Sequence, residues 1–564
     1  MVSNLWRDWA QGDLQGELES LSPGLLDQVE PLIPILSVDE KRPPSLGSKS
    51  TLISLLEAFL SDRAFRDKDF RRRCLNRIPE ERLSRLERAF EISDAAGSFD
   101  ERVERIVGLN WTQQRAQAFV DLFGLPSHFI PPPPRTIPSS AELEPASPST
   151  PVRLEQPFKQ LKDFQFRVYL EAVDLLQNPF ERFVIQMPTG SGKTRTAMEV
   201  VSDHLNRTEG PDGAPLVIWL ADSRELCEQA AQCFLEVWNH LGGKPASFFR
   251  AWGDHPLPDL TQRASVVVST FKKLDEALKR NAEQIELLQS RSTLIVLDEA
   301  HRMMAPTYAG VVGRLMGNGT RVVGLSATPG RTDRDESRRL AEFFNEKRIE
   351  LEFEADRSPI RVLKERGVLS HAKYSEIRTP LRIEASDSDR RAIAAEFSIP
   401  AHILKQLGSS QVRNIEILKR LISLCSDGRH VLFFACSVEH SRLIAALLKF
   451  AGISAAHLDG GTSAGRRGQI VEEFRDRSIQ VLCNFGVLHT GFDAPNTDVV
   501  FISRPTVSSV LYSQMIGRGL RGPAMGGSPS CEVVDVRDNL VGFGDLDELY
   551  DSFDQYFDSE DSAS

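Results

Sequence analysis

A lysine and a hydroxyl residue behind closely spaced glycines can hold a chain of phosphates, and Gly190-Ser191-Gly192-Lys193-Thr194 is such a run. The glycines let the backbone turn tightly, so that successive amide N–H groups and a helix N-terminus face one anion. Lys193 adds a mobile positive charge for the outer phosphates, and Thr194 a hydroxyl suited to Mg²⁺. Met187, Pro188 and Thr189 open the loop, and Met187 stands where the strict pattern has Gly. The second pair is Asp298 and Glu299. Hydrolysing a nucleoside triphosphate needs a metal on the β- and γ-phosphates and a water in line with the leaving oxygen. Asp298 can hold that metal through its water shell, and Glu299 can orient and polarise the water. His301 can relay between sites, or cap and pack. Ser326-Ala-Thr328 offers small hydroxyls at a strand end, able to bridge the carboxylates to a facing domain. Arg518 and Arg521, at i and i+3, are expected on one helix face. Guanidinium groups supplied across a cleft neutralise charge spread over γ-oxygens.

These groups need a scaffold that presents strand ends to a common edge. Phe183–Met187 reads as a buried strand before the loop, and Arg195–Leu205 as a helix after it. Further strands are expected at Leu216–Leu220, Ser265–Thr270, Leu294–Leu297 and Arg321–Leu325, alternating with helical segments. Continuous apolar strands between helices predict an α/β fold, a doubly wound parallel sheet buried on both faces. A second set, Val431–Ala435, Ser454–Leu458, Val481–Cys483, Val499–Ile502 and Glu532–Val536, predicts a second such sheet without a phosphate loop of its own. Thr490-Gly-Phe-Asp493 would add a loop from that half to the cleft. Residues 1–125 carry helix-period apolar residues and are expected to form a separate helical domain. Within it, Arg71-Arg72-Arg73 reads as a solvated helix face, with a phosphate contact as the alternative. Residues 126–157, rich in Pro, Ser, Thr and Glu, read as a semi-extended linker. The first α/β lobe is assigned to 158–345, a connector to 346–410, the second lobe to 411–542, and an acidic, aromatic-containing tail to 543–564.

Composition narrows the classes further. The 564 residues are too many for one core; 41% hydrophobic and 26% charged content is that of a soluble globular protein. The net charge of −11 excludes a generally basic polyanion binder, so any nucleic-acid contact must come from a local cationic cleft. Scattered cysteines without a Cys-x-x-Cys pair argue against a disulfide framework and a zinc module. Neither a membrane span nor a secretory leader is expected, and the cytoplasm is the expected location.

Taken together, in this order, the motifs over residues 155–540 resemble a superfamily-two DEAD/DEAH-box helicase or translocase. The likeness is to the branch containing the motor subunits of type I and type III restriction enzymes. It implies two tandem RecA-like lobes that clamp ATP and Mg²⁺ between them. By resemblance Gln165 reads the adenine, Met187 to Thr194 form the Walker A loop, and Asp298 to His301 the DEAH box. Ser326 to Thr328 correspond to the coupling motif, and Gln514 to Arg521 to the arginine-finger helix. Asp493 would meet the ribose or the coupling network. Arg224, Thr270 and Thr490 match residues that grip a phosphodiester backbone, while Arg467, Ile470 and Phe474 match the helix before a second-lobe strand. The implied activity is ATP-dependent movement on nucleic acid, DNA before RNA, in bacterial defence or DNA repair. A protein partner would engage residues 1–125. An RNA helicase and an ATP-gated scaffold are the alternatives.

Overall fold

The computed structural model describes residues 4–541 apart from 22, 37–44, 61–63, 93–96, 127–128, 132–137, 145–157, 211–213, 261–262, 301–305, 318, 328–333, 354–357, 397–398 and 489–495. Among the described residues the first sheet contains β1 Ser140–Leu143, β2 Arg182–Gln186, β3 Leu216–Ala221, β4 Ala246–Ala251, β5 Ala264–Thr270, β6 Ser292–Leu297, β7 Arg321–Ser326 and β8 Arg348–Ile349. Their spatial order is β1-β4-β5-β3-β6-β7-β2-β8. All pairings are parallel except β1 with β4. Strands β3 and β6 are buried along their whole length, as unbroken apolar runs between two helix layers must be.

The second sheet contains β9 His371–Glu384, β10 Val431–Phe434, β11 Ala455–Leu458, β12 Val481–Asn484, β13 Val499–Ile502 and β14 Ser530–Val541, in the order β11-β12-β10-β13-β14-β9 and parallel throughout. The fold is therefore two tandem doubly wound lobes behind a helical N-terminal region. One buried apolar cluster joins the lobes through Leu369, Leu520 and Met515.

Three sequence expectations change. The N-terminal helices do not stand apart. Helix Lys49–Phe59 packs on helix Val438–Phe450, Gln411 Nε2 donates to Asp27 O at 2.9 Å, and a single buried cluster runs from Trp6 and Phe65 to Phe433 and Phe501. The cause is that the second lobe's outer helices are apolar on two faces, one for their sheet and one for this domain. The Arg71–Arg73 run is also not a solvated face. Arg71 is buried and donates to Val107 O at 2.6 Å, Arg72 pairs with Glu104 and Asp69, and Arg73 with Glu17. Finally, the Pro-rich segment contributes β1, which adds to the first sheet through β4, while the connector divides between β8 of the first sheet and β9 of the second. Among the described residues no helix is long and apolar enough to cross a membrane.

Candidate functional site

Strands β2, β7 and β6 are neighbours, and the chain leaves all three at the same, carboxyl-terminal edge. That edge of an open α/β sheet is where ligands collect. The Gly-rich loop leaves β2, Ser326 ends β7, and Asp298 follows β6. The β2 and β7 exits are tied by the Met187 N–H donating to Ser326 O at 3.1 Å, and Asp298 is fixed by its own N–H donating to Leu220 O at 2.8 Å.

Gly190 and Gly192 have φ of +86° and +90°, the left-handed region that a side chain disfavours. Gly192 hands the chain to helix Lys193–Arg207, so Lys193 and Thr194 occupy its first turn, where unpaired amide N–H groups attract anions. A Cβ at Gly192 would overlap Gln165 Nε2, which donates to Ser191 O at 3.1 Å. Gln165 Oε1 accepts from the Lys162 N–H at 2.8 Å. Gln165 thus braces the loop from below. The Ser191 hydroxyl donates to Pro188 O at 2.7 Å, closing the turn.

Asp298 and Glu299 are buried beside this cradle. Burial pushes the Asp298 carboxyl up to about 6, with Lys193 and Arg518 pulling it down and Glu299 raising it. Glu299 has φ of +54°, a left-handed conformation costing roughly 1–3 kcal/mol in a non-Gly residue and concentrated at functional sites. Its N–H donates to Asp298 Oδ1 at 3.0 Å.

The facing lobe closes the site. Helix Ser509–Ile516 ends at Ile516, so Arg518 and Arg521 are not on a helix face as expected; Arg518 sits on the hydrogen-bonded turn beyond it, and Arg521 pairs with Leu369 in an antiparallel bridge. The glycines at 517, 519 and 522 end the helical repeat there. That turn is clamped by the connector: Ser370 N–H donates to Leu520 O at 2.9 Å, Gly522 N–H to Val368 O at 2.9 Å, and the Ser370 hydroxyl to Arg521 O at 2.6 Å. Any side chain at Gly517 would overlap Thr189 of the loop, and a Cβ at Gly190 would lie 3.8 Å from Arg521 Cγ. Lys193, Asp298, Glu299, Arg518 and Arg521 therefore converge on one gap between the lobes. Gln514, on the preceding helix, is buried, and its Nε2 has no hydrogen-bond partner among the described residues.

Arg224 opens helix Arg224–Leu241 after β3, and Thr270 caps helix Phe271–Arg280 after β5, its hydroxyl oxygen accepting from the Lys273 N–H at 3.2 Å. Among the described residues the Thr270 hydroxyl proton has no acceptor. Burial lowers the pKa of Arg467 in the second lobe, and the like charge of Arg224, close enough to act on it, lowers it further. Two cations facing each other across a seam suit a polyanion between them. His301, Thr328, Thr490, Asp493 and the acidic tail lie outside the described residues. Sequence reasoning missed the connector clamp at Val368–Ser370 and the contacts of Leu369 and Met525 with the loop glycines. No local pattern marks such residues, since their part is set by tertiary approach.

Residues 158–331 match the family described as Type III restriction enzyme, res subunit, and residues 413–522 match the Helicase conserved C-terminal domain. Similar proteins include IRC3 of Saccharomyces cerevisiae, 25% identical over 64% of this chain and 49% of that protein. Another is irc3 of Schizosaccharomyces pombe, 27% identical over 68% and 58%. Both are named as ATP-dependent helicases, the second as mitochondrial. The ATP-dependent RNA helicase DBP5 of S. cerevisiae is 24% identical over 61% and 62%. The chain thus spans about half to three-fifths of the length of these curated relatives.

Proposed function

We propose, from the premise that this chain belongs to the superfamily-two helicases, that it is an ATP-driven DNA helicase or duplex translocase acting in bacterial defence or DNA repair. The observation that carries the reading is the meeting of the second lobe's Gly517–Arg521 stretch with Thr189 and Gly190 of the loop, which brings Arg518 within electrostatic reach of Asp298. In this reading the amides of Met187 to Thr194 and the Lys193 ammonium bind the triphosphate, and Gln165 reads the adenine. Thr194 and Asp298 would hold Mg²⁺, whose chemistry when bound is to neutralise charge on the β- and γ-phosphates. The left-handed glycines and the buried carboxylate suit that pair of ligands. Glu299 orients the attacking water. Arg518 and Arg521 stabilise the charge that develops on the γ-oxygens. Gln514, Ser326, Thr328 and His301 link the nucleotide centre to the track, and Asp493 meets the ribose.

Arg224, Thr270 and Thr490 hold the phosphates of one strand, so closure and release of the lobes become movement. Phosphate contacts carry no sequence information, so the motor is expected to be salt-sensitive and sequence-indifferent. Targeting would then come from residues 1–125, outside both matched domains, through a protein partner. The seven unpaired cysteines fit a reducing compartment, and the cytoplasm is our reading.

DNA is favoured by the likeness of the first lobe to a restriction-enzyme subunit, and RNA by the likeness to DBP5. The deciding experiment measures ATP turnover with single-stranded DNA, duplex DNA and RNA added in turn. Stimulation by DNA is expected. Stimulation by RNA alone moves the substrate to RNA, and a rate indifferent to all three ends the motor reading in favour of an ATP-gated scaffold.

A pH dependence follows from Asp298. Its carboxylate, the form that serves a cation, becomes the minority below about pH 6. At subsaturating Mg²⁺, turnover should therefore fall as pH drops through 6, by up to about tenfold per unit, and excess Mg²⁺ should restore it. A flat profile at limiting Mg²⁺ would remove Asp298 from the metal site.

A further inference from the structure

Two arginines near the end of β13 are treated in opposite ways. Arg413, fully buried, donates Nη1 to Ser503 Oγ at 2.8 Å and Nε to Asp538 Oδ1 at 2.9 Å, so its charge and its donors are matched within the protein. Arg504, one residue beyond Ser503, is half-buried and has neither a carboxylate nor a hydrogen-bond acceptor among the described residues. Its Nε is shielded from solvent without a partner, and its guanidinium carbon lies 5.1 Å from the centroid of the Phe485 ring. Among the described residues, the ionisable group acting on it is the Cys436 thiol. That thiol donates to Ser503 O at 3.0 Å, and burial raises its pKa, so it stays neutral. A guanidinium held on an aromatic face keeps its edge donors free, the arrangement proteins use to bind phosphate in two-pronged fashion. Withdrawing a cation from water with no anion to meet it is costly unless a ligand supplies one.

The surroundings fit an anion. Phe434 of β10 is level with Asn484 of β12 and with Ile502 of β13, so Phe485, Cys436 and Arg504 project just past one sheet edge. Helix Val438–Phe450 starts there behind its Ser437 cap, and Glu439 in its first turn offsets the positive end of its dipole, so Arg504 is the group at this edge that would meet an anion. The nucleotide centre is reached by a different part of the second lobe: Gly517 and Arg521, beyond helix Ser509–Ile516, approach Thr189 and Gly190, whereas Arg504 lies just past the end of β13. We infer that Arg504, stacked on Phe485, is a second-lobe contact for a backbone phosphate of the bound strand, lengthening the track that begins at Arg224 and Arg467. This rests on the nucleic-acid motor reading above.

The test uses the full chain, a labelled single-stranded oligonucleotide, fluorescence anisotropy over a salt series, and steady-state ATP turnover. Arg504→Gln should weaken binding roughly tenfold at low salt. It should also flatten the slope of log K against log salt by about 0.7, the mark of one lost phosphate contact. Arg504→Lys should recover the slope but only part of the affinity, and Phe485→Leu should weaken binding at unchanged slope. The loss should read as a raised KM for oligonucleotide. Four results overturn the assignment: an unchanged slope and affinity, a raised KM for ATP with oligonucleotide affinity intact, a lowered Tm with unchanged slope, or equal displacement of the wild-type and variant oligonucleotide complexes by inorganic phosphate. If the wild-type chain binds no oligonucleotide at all, the motor reading fails as well, and the two failures are told apart by that control.

Discussion

Arg518→Ala should bind ATP nearly as well as the parent chain and hydrolyse it about 10³–10⁵ times more slowly. The expectation comes from geometry. Arg518 stands on the opposite lobe from the phosphate cradle yet influences Asp298, so it meets the nucleotide only when the lobes close. The first lobe alone supplies the amide groups and Lys193, and these should preserve affinity. The turn that carries Arg518 is held by main-chain bonds to Val368 and Ser370, so truncating the side chain leaves its course intact. Arg518→Lys should recover little, because an ammonium cannot reproduce a planar fork. Nucleotide binding and single-turnover hydrolysis measured on one preparation decide it, and unimpaired hydrolysis would exclude Arg518 from the reaction.

Lys193→Ala should lose both binding and turnover, the latter by at least about 10²–10³-fold. Two effects add. The outer phosphates lose their mobile cation, and Asp298 loses the neighbour that most lowers its pKa. With Lys193 absent, the Asp298 pKa rises further, so at neutral pH a larger fraction is protonated and unable to serve a metal. Raising the pH should therefore recover part of the Mg²⁺ dependence of the variant but not its nucleotide affinity. Normal turnover would refute the assignment of the loop.

Much of this was legible in the residues. Unbroken apolar runs such as Leu216–Leu220 identified the buried parallel strands, and the glycines at 190 and 192 identified a turn that only they adopt cheaply. Strand β9 was not legible, because half its residues face solvent and its charges read as connector. The docking of the N-terminal helices on the second lobe was equally hidden: a helix with two apolar faces looks the same in sequence whatever covers the second one. The arginine pair was found, but its support was misread. Spacing of i and i+3 suggests a helix, whereas the interspersed glycines let the chain leave the helix after Ile516 and bring Arg518 and Arg521 to the gap. Arg504 carried no signal at all, since an arginine becomes informative only once its neighbours are known to offer it nothing.

The β1 pairing sets a mechanical limit. Ile130 packs with the N-terminal helices and thus belongs to the second lobe's body, while Pro138 O and Ser139 O accept from Arg250 on the first lobe at 2.9 and 2.7 Å. The steps from 130 to 138 can reach about 29 Å at full stretch. A second covalent crossing, from β8 to β9, joins the same two bodies elsewhere. A double leash of this kind lets the halves gape but never drift apart, so re-engagement stays intramolecular, at an effective concentration on the order of millimolar, however dilute the protein.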